Sequence, residues 1–243
     1  MSAPEIIYED ADMLAVVKPA GLQVHAARHS GKNSPKKDTP TLVDWLMQVR
    51  PEIKGVGDDP VFRPGIVHRL DKDTSGVMLV PKNQKTFEYL KNLFQEHAIK
   101  KTYLALVVGR PKKDHGTIDA AIGIRNGTMK RSVRSPRMAK SAVTEYRVVK
   151  TIEDPDGKAY TTLEVFPKTG RTHQIRVHLA SIGHPVVGDR LYGPGKSPVW
   201  ASRLMLHALS LEFTTQGGKR MKLESEPPAV IHTPLFQELR HMV

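Results

Sequence analysis

The chain has 243 residues, 39% of them hydrophobic and 26% charged, with 37 Lys and Arg against 25 Asp and Glu, a net charge of +12 and no cysteine. This is the profile of an ordinary soluble globular protein, long enough to bury a sizeable core. Disulfides, thiolate metal sites and cysteine nucleophiles are excluded by composition. No apolar run nears the ~18 residues of a membrane span. The acidic start MSAPEIIYED lacks the basic and apolar regions of a secretory signal, so a cytoplasmic protein is expected.

In chain order, residues 5–18 predict two short strands around the turn-forming Glu-Asp-Ala-Asp stretch, closed by Pro19 and Gly21. Residues 28–40 read as a polar, basic, mobile loop. Thr41 is placed to cap a short helix whose Leu42, Trp45 and Leu46 share one face. Val77 to Val80 form an apolar run suited to a buried strand. Phe87, Leu90, Phe94 and Ala98 then recur at helical spacing. A strand over 103–108 ends at Gly109, and further strands are expected near 117–124, 142–150 and 160–166, with Asp156-Gly157 as a turn signal. Thr172 is the expected N-cap of a helix carrying Ile175, Leu179 and Ile182 and ending at Gly183. Late strands are expected at 204–213 and 219–223. Grouped strands with few crossover helices predict an α+β fold, with a mostly antiparallel mixed β-sheet flanked by helices and loops, in a single domain over 1–243.

Charge is unevenly spread. Residues 100–140 hold eleven Lys or Arg against Asp114 and Asp119. A clustered positive surface is what phosphate neutralisation requires, although a solvated basic face has the same composition. No basic amphipathic helix points to a membrane surface.

Two segments concentrate reactive side chains. His68-Arg69-Leu70-Asp71-Lys72-Asp73-Thr74-Ser75-Gly76 packs an imidazole, a guanidinium, two carboxylates and two hydroxyls between apolar runs. Gly76 permits close backbone approach, and Thr74 and Ser75 can bind local backbone and fix the turn. An ionised carboxylate there can act as nucleophile or base, or can merely cap the turn. The second segment runs from Thr169 to Leu179. On its helix Arg176 lies one step from the apolar stripe and needs a partner, for which Asp71 is the obvious candidate. A surface Arg with its stem on the core is the other reading. His173 and His178, five apart, diverge on a helix and make a poor metal pair.

The string HRLDKDTSG at 68–76 resembles the signature of RluA-type pseudouridine synthases, which holds that family's catalytic aspartate. Four more stretches are similar to the family's motifs, in order. They are Lys18 to Leu22 with His25, Lys101 to Gly109, Thr169 to Ala180 with Gly183 to Asp189 and Tyr192-Gly193, and Arg203 to Ala208. Together they span 18–208.

The resemblance implies an RNA-modifying isomerase that detaches uracil from ribose, turns it and rejoins it through carbon 5, with no cofactor and no metal. It implies that Asp71 is the catalytic carboxylate, that Arg176 pairs with it, and that Tyr103 stacks on the target uracil and removes the carbon 5 proton. An ordinary phenol titrates at about 10, so Tyr103 needs help from its surroundings or acts late. Arg69 maps to the residue that fills the space left by the flipped base, or else braces the loop. His68, Thr74 and Arg171 are expected at the substrate. Lys130, Arg131 and Arg134 are expected on a hairpin loop that clamps RNA phosphates. The first motif starts within 20 residues of Met1, so the accessory RNA-binding domain of many relatives is not expected, and recognition by stem-loop shape is. The expected partner is structured RNA, ribosomal or transfer, bound by a monomer without an obligatory protein partner. The alternatives are an inactive RNA-binding or chaperone protein of the same fold, and a nucleoside or glycoside hydrolase pairing Asp71 with Asp73.

Overall fold

The computed structural model describes residues 2–26, 39–125, 130–135, 137–195, 198 and 200–232. Most of the loop expected at 28–40, and Met129 of the basic hairpin, lie outside the described residues. The strands in chain order are β1 (Glu5–Glu9), β2 (Met13–Lys18), β3 (Ser75–Pro81), β4 (Lys100–Val108), β5 (His115–Asp119), β6 (Gly123–Ile124), β7 (Arg131–Ser132), β8 (Val143–Glu153), β9 (Ala159–Pro167), β10 (Leu206–Thr214) and β11 (Arg220–Glu224). The helices are α1 (Leu42–Val49), α2 (Gln84–Gln95), α3 (Gln174–Ser181) and the short α4 (Ala229–His232). The fold is α+β with mostly antiparallel strands, as the sequence predicts. Two compact units form, one from 1–100 with 210–225 and one from 101–209 with the segment after 225.

In the first unit, β1 and β2 form the expected hairpin, its turn held by the Asp10 carboxylate, which accepts the N–H groups of Asp12 and Met13 at 2.8 Å. β2 pairs antiparallel with β3 from Met13↔Pro81 to Lys18↔Gly76. Every residue of β3 is buried, which is why it reads as a continuous apolar run rather than an alternating one. Thr41 caps α1 as expected. Its hydroxyl accepts the Asp44 N–H, and the Asp44 carboxylate accepts the Thr41 N–H, a reciprocal capping box. α2 is capped by the Asn83 side chain and buries Phe87 and Leu90. The helical spacing predicted through Ala98 overruns its end. His97 takes a left-handed conformation (φ 59°), and the Ala98 N–H turns back to the Leu93 carbonyl. The core of this unit is Met13, Ala15, Val77, Leu79, Leu90, Ile99, Leu211, Phe213 and Leu223. Residues 210–214 of β10 pair with β11 beside it.

In the second unit the strand order is β4-β9-β8-β5, all antiparallel. The Asp156-Gly157 turn is present, with Gly157 at φ 75° and the Asp154 carboxylate accepting two backbone N–H groups. The core gathers Leu104, Leu106, Tyr160, Leu163, Val165, Ile175, Leu179 and Met205. β6 and β7 make a separate small hairpin. Among the described residues no helix is long and apolar enough to cross a membrane.

α3 departs most from expectation. Thr172 is exposed and does not cap it; the N-cap is His173, held left-handed at φ 58° with no side-chain cap. The first turn is fixed by Gln174 instead. Its amide oxygen accepts from the Thr169 hydroxyl (2.6 Å) and the Arg171 N–H (3.0 Å), while its nitrogen donates to the Val143 carbonyl (2.9 Å) and the Thr144 hydroxyl (3.0 Å). With Gln174 engaged on both ends, the helix is pinned to β8. Ile182 is exposed, not part of a buried stripe, whereas Arg176 and His178 are buried.

His178 completes this polar layer. One ring nitrogen meets the Thr144 hydroxyl and the other the Ala120 carbonyl, both at 2.9 Å. The Thr144 oxygen already accepts from Gln174, so its proton goes to His178 Nδ1, and Nε2–H donates to Ala120. That tautomer is neutral, and burial lowers the ring's pKa below the ordinary 6.5. The unfolded chain therefore binds a proton here before the folded protein does. Stability from this group is complete above pH 6.5 and falls as pH drops towards the lowered value. Urea midpoints at pH 7.5 and pH 5 are expected to show an acid-side loss that is smaller in His178→Asn.

Candidate active site

The aspartate-bearing loop belongs to the first unit, and the sequence around it explains its shape. β2 delivers Lys18 to the loop's base with 0% of its surface exposed. A buried ammonium has to be surrounded by acceptors. Lys18 Nζ donates to the carbonyls of Pro19 (2.8 Å), Leu22 (2.8 Å) and Lys72 (3.0 Å). The Lys72 carbonyl also accepts the Gly21 N–H at 2.9 Å. The residue next to Asp71 is thus tied twice to the stretch 18–22. Gly21 holds its part of that turn at φ 84°, a region costly for other residues.

Three more ties set the loop. The Thr74 N–H donates to the Asp71 carbonyl (3.2 Å), closing a tight turn, and Thr74 and Ser75 are buried. Leu70 is buried in the core, and Asp71 is half-buried. His68 stacks on Phe94 with ring centroids 4.3 Å apart, and its Nε2 accepts the Leu79 N–H at 2.9 Å. His68 and Thr74, expected at the substrate, are thus built into the fold of the loop. Arg69 is exposed, and its Nη1 lies 3.4 Å from His25 Nε2. Burial, together with the charges of Arg69 and Arg63, lowers the pKa of His25, so a neutral ring faces Arg69.

The other predicted residues belong to the second unit. Tyr103 is on β4 opposite Val165 of β9 and is half-buried. Arg176, on α3, is only 6% exposed. Its Nε and Nη2 donate to the two carboxylate oxygens of Asp189 at 2.7 and 2.8 Å. Asp189 also accepts the N–H groups of Leu191 (2.9 Å) and Tyr192 (3.1 Å). Burial alone would raise the Asp189 pKa; the Arg176 fork and charge, with the two backbone bonds, outweigh it and hold the carboxyl below its usual range.

The turn that presents Asp189 depends on Gly188. It sits at φ 79°, and a Cβ there would lie 1.9 Å from the Arg203 carbonyl oxygen. On the other side, the Arg176 guanidinium lies 5.2 Å from the centre of the Tyr192 ring.

Arg171 is half-buried, with Nε on the Ser141 carbonyl at 3.0 Å. Lys130, Arg131 and Arg134 lie on or beside the β6–β7 hairpin, which is closed by the Arg125 N–H to the Lys130 carbonyl. Arg131 Nε is buried and has no hydrogen-bond partner among the described residues. Sequence reasoning gave no role to Lys18, Asp189, Gln174 or Tyr192. The signal for Asp189 was available: a buried Arg calls for a carboxylate, and Gly188-Asp189 stands in the matched motif.

A family model described as RNA pseudouridylate synthase matches residues 12–181. The chain is 43% identical to an uncharacterised RNA pseudouridine synthase of Bacillus subtilis, over 92% of this chain and 69% of the relative. It is 46% identical to an uncharacterised RNA pseudouridine synthase of Aquifex aeolicus, over 80% of this chain and 57% of the relative. It is 40% identical to ribosomal large subunit pseudouridine synthase D of Pseudomonas aeruginosa, over 93% and 64%. The chain thus spans 57–69% of the length of these relatives. Among solved structures, human RNA Pseudouridylate Synthase Domain Containing 1 is 28% identical with a TM-score of 0.73, covering 93% of this chain and 84% of that one. The α+β fold is shared with that solved protein, and the chain belongs to the RNA pseudouridylate synthase family.

Asp189→Ala is expected to remove the paired bonds to the buried Arg176 and to cost about 3–5 kcal/mol in a urea titration. Asp189→Asn, which keeps the oxygen acceptor but not the charge, is expected to cost less.

Proposed function

We propose that this chain is an RNA pseudouridine synthase acting on structured RNA, with Asp71 as nucleophile, Tyr103 as the base at uracil carbon 5 and Arg176 as the fixed cation of the catalytic set. The observation that carries this reading is the family match over 12–181, which contains the HRLDKDTSG loop. The ties on that loop support it. A nucleophile gains most when its geometry is set before substrate arrives, and the Lys72 carbonyl is held by both Lys18 and Gly21.

The proposed chemistry is an isomerisation. The Asp71 carboxylate assists departure of N1 of uracil from C1′ of the ribose. The freed base turns, carbon 5 bonds to C1′, the carbon 5 proton leaves to the Tyr103 oxygen as the phenol gives up its own proton to water, and N1 takes a proton from water, so that C1′–N1 and C5–H are exchanged for C1′–C5 and N1–H. No electron is gained or lost overall, so no redox cofactor enters. The target uridine has to leave its stack, at a cost on the order of a few kcal/mol. Arg69, flat, cationic and exposed, is suited to fill the vacated space. Lys130, Arg131 and Arg134 are suited to phosphates, and Arg171, His68 and Thr74 are proposed to contact the substrate.

The names of relatives such as synthase D of the large ribosomal subunit favour ribosomal RNA over transfer RNA as substrate. We further propose that the protein works in the cytoplasm, as a monomer, with its two units acting as one catalytic domain.

Unmodified large-subunit ribosomal RNA transcribed with tritium at uracil carbon 5 tests the reading. Wild-type protein is expected to release tritium to water, and Asp71→Ala to release none above background. Release by both proteins would remove Asp71 from the mechanism. Absence of release by the wild type, from ribosomal and transfer RNA alike, would overturn the proposed activity.

A further inference from the structure

The basic hairpin and the buried Arg176 meet at one side chain to which neither the sequence nor the family match gives a task. Tyr192 is half-buried. Its ring packs, with Val133 of the hairpin, against Ile122, Ala142 and Val177. Its hydroxyl accepts the backbone N–H of Arg131 at 3.0 Å. The same hydroxyl lies 2.8 Å from Nδ1 of His173, the residue that starts α3. Since Oη accepts from Arg131, its own proton is available to His173. The face of the ring lies under the Arg176 guanidinium.

A two-residue strand pair such as β6–β7 has little hold of its own in water. Its position therefore depends on contacts outside the ladder, and the Tyr192 hydroxyl supplies one on the backbone of Arg131. Residues 122–140 carry six Lys or Arg (Arg125, Lys130, Arg131, Arg134, Arg137, Lys140) and no acid. Arg131 is only half-buried, so its permanent charge is within reach of a phosphate at the surface, while its Nε is covered and has no hydrogen-bond partner among the described residues.

We propose that Tyr192 is a positioning residue that joins RNA binding to catalysis, its hydroxyl setting the hairpin so that Arg131 meets an RNA phosphate and its ring holding Arg176. The inference rests on the proposed function and adds how substrate grip and catalytic set are coupled. Two atoms of one side chain then have separable duties. Losing the hydroxyl loosens the hairpin and weakens RNA binding. Losing the ring also releases Arg176 and slows the chemical step.

The test compares wild type, Tyr192→Phe and Tyr192→Leu for affinity to an unmodified large-subunit ribosomal RNA transcript and for kcat and KM of tritium release. Tyr192→Phe is expected to weaken binding and raise KM by about threefold to tenfold, the worth of one or two neutral hydrogen bonds, with kcat within about twofold of wild type. Tyr192→Leu is expected to lower kcat as well, by about threefold or more, through loss of the cation–ring contact. In an Arg131→Ala background the Phe change is expected to cost less affinity than it does in the wild type. Wild-type affinity in Tyr192→Phe, with only the melting temperature lowered, would reduce Tyr192 to packing and overturn the proposal. Additive losses in the double variant would overturn it too. A wild type that binds RNA but releases no tritium would refute the proposed function instead, while the affinity comparison would still decide the role of the hydroxyl.

Discussion

A guanidinium buried in protein has to be answered by a carboxylate, and much of the second unit is arranged around that requirement at Arg176. Taking both charges out of water costs several kcal/mol per ion, so the pair is poor as a source of stability and strong as a source of fixed geometry. Two parallel bonds to Asp189 lock the plane of the guanidinium. The carboxylate is in turn locked by two backbone N–H groups of its own turn. That turn closes because residue 188 has no side chain. The helix carrying Arg176 is pinned to β8 by the fully engaged Gln174 amide. Each link specifies the next, and the outcome is a cation whose direction is decided before substrate arrives.

The first unit follows the same principle with a different kind of acceptor. There the buried cation is Lys18, and its acceptors are backbone carbonyls rather than a carboxylate. The ammonium thereby ties two chain segments together, the turn over 18–22 and the residue next to Asp71. A point charge with three donors suits this task, because carbonyls approach it from separate directions. His68 secures the other end of the loop by accepting a β3 N–H and stacking on Phe94. The proposed nucleophile is therefore carried on a segment braced at both ends, which is what a group that must meet one carbon atom requires.

Local patterns made much of the fold legible. The apolar run of β3, the Thr41 cap, the β1–β2 hairpin and the Asp156-Gly157 turn depend on neighbours within a few residues, and the sequence states them openly. The start of α3 was misread because Thr172 is a good cap in isolation. The chain uses a left-handed His173 and a glutamine that bonds to β8, some 30 residues away. The end of α2 was misread for a related reason: apolar spacing continues to Ala98 after the backbone has already turned at His97. At the site, the motif named Asp71, Tyr103 and Arg176 but not the groups that position them. Lys18, Asp189 and Tyr192 act through partners 13 to 61 residues away or through backbone atoms, and residue type does not announce such contacts. His68 and Thr74 flank the aspartate, and their described contacts run into the loop's own fold.

The central claim is that the proposed catalysis needs the direction of the Arg176 guanidinium and not its charge alone. Arg176→Lys keeps the charge and removes the fork, so single-turnover conversion of an RNA substrate at saturating protein separates the two. The expected result is a rate at least about tenfold below wild type with RNA affinity unchanged, since a lysine cannot make the paired bonds to Asp189. A lysine variant that converts RNA at the wild-type rate would contradict the account.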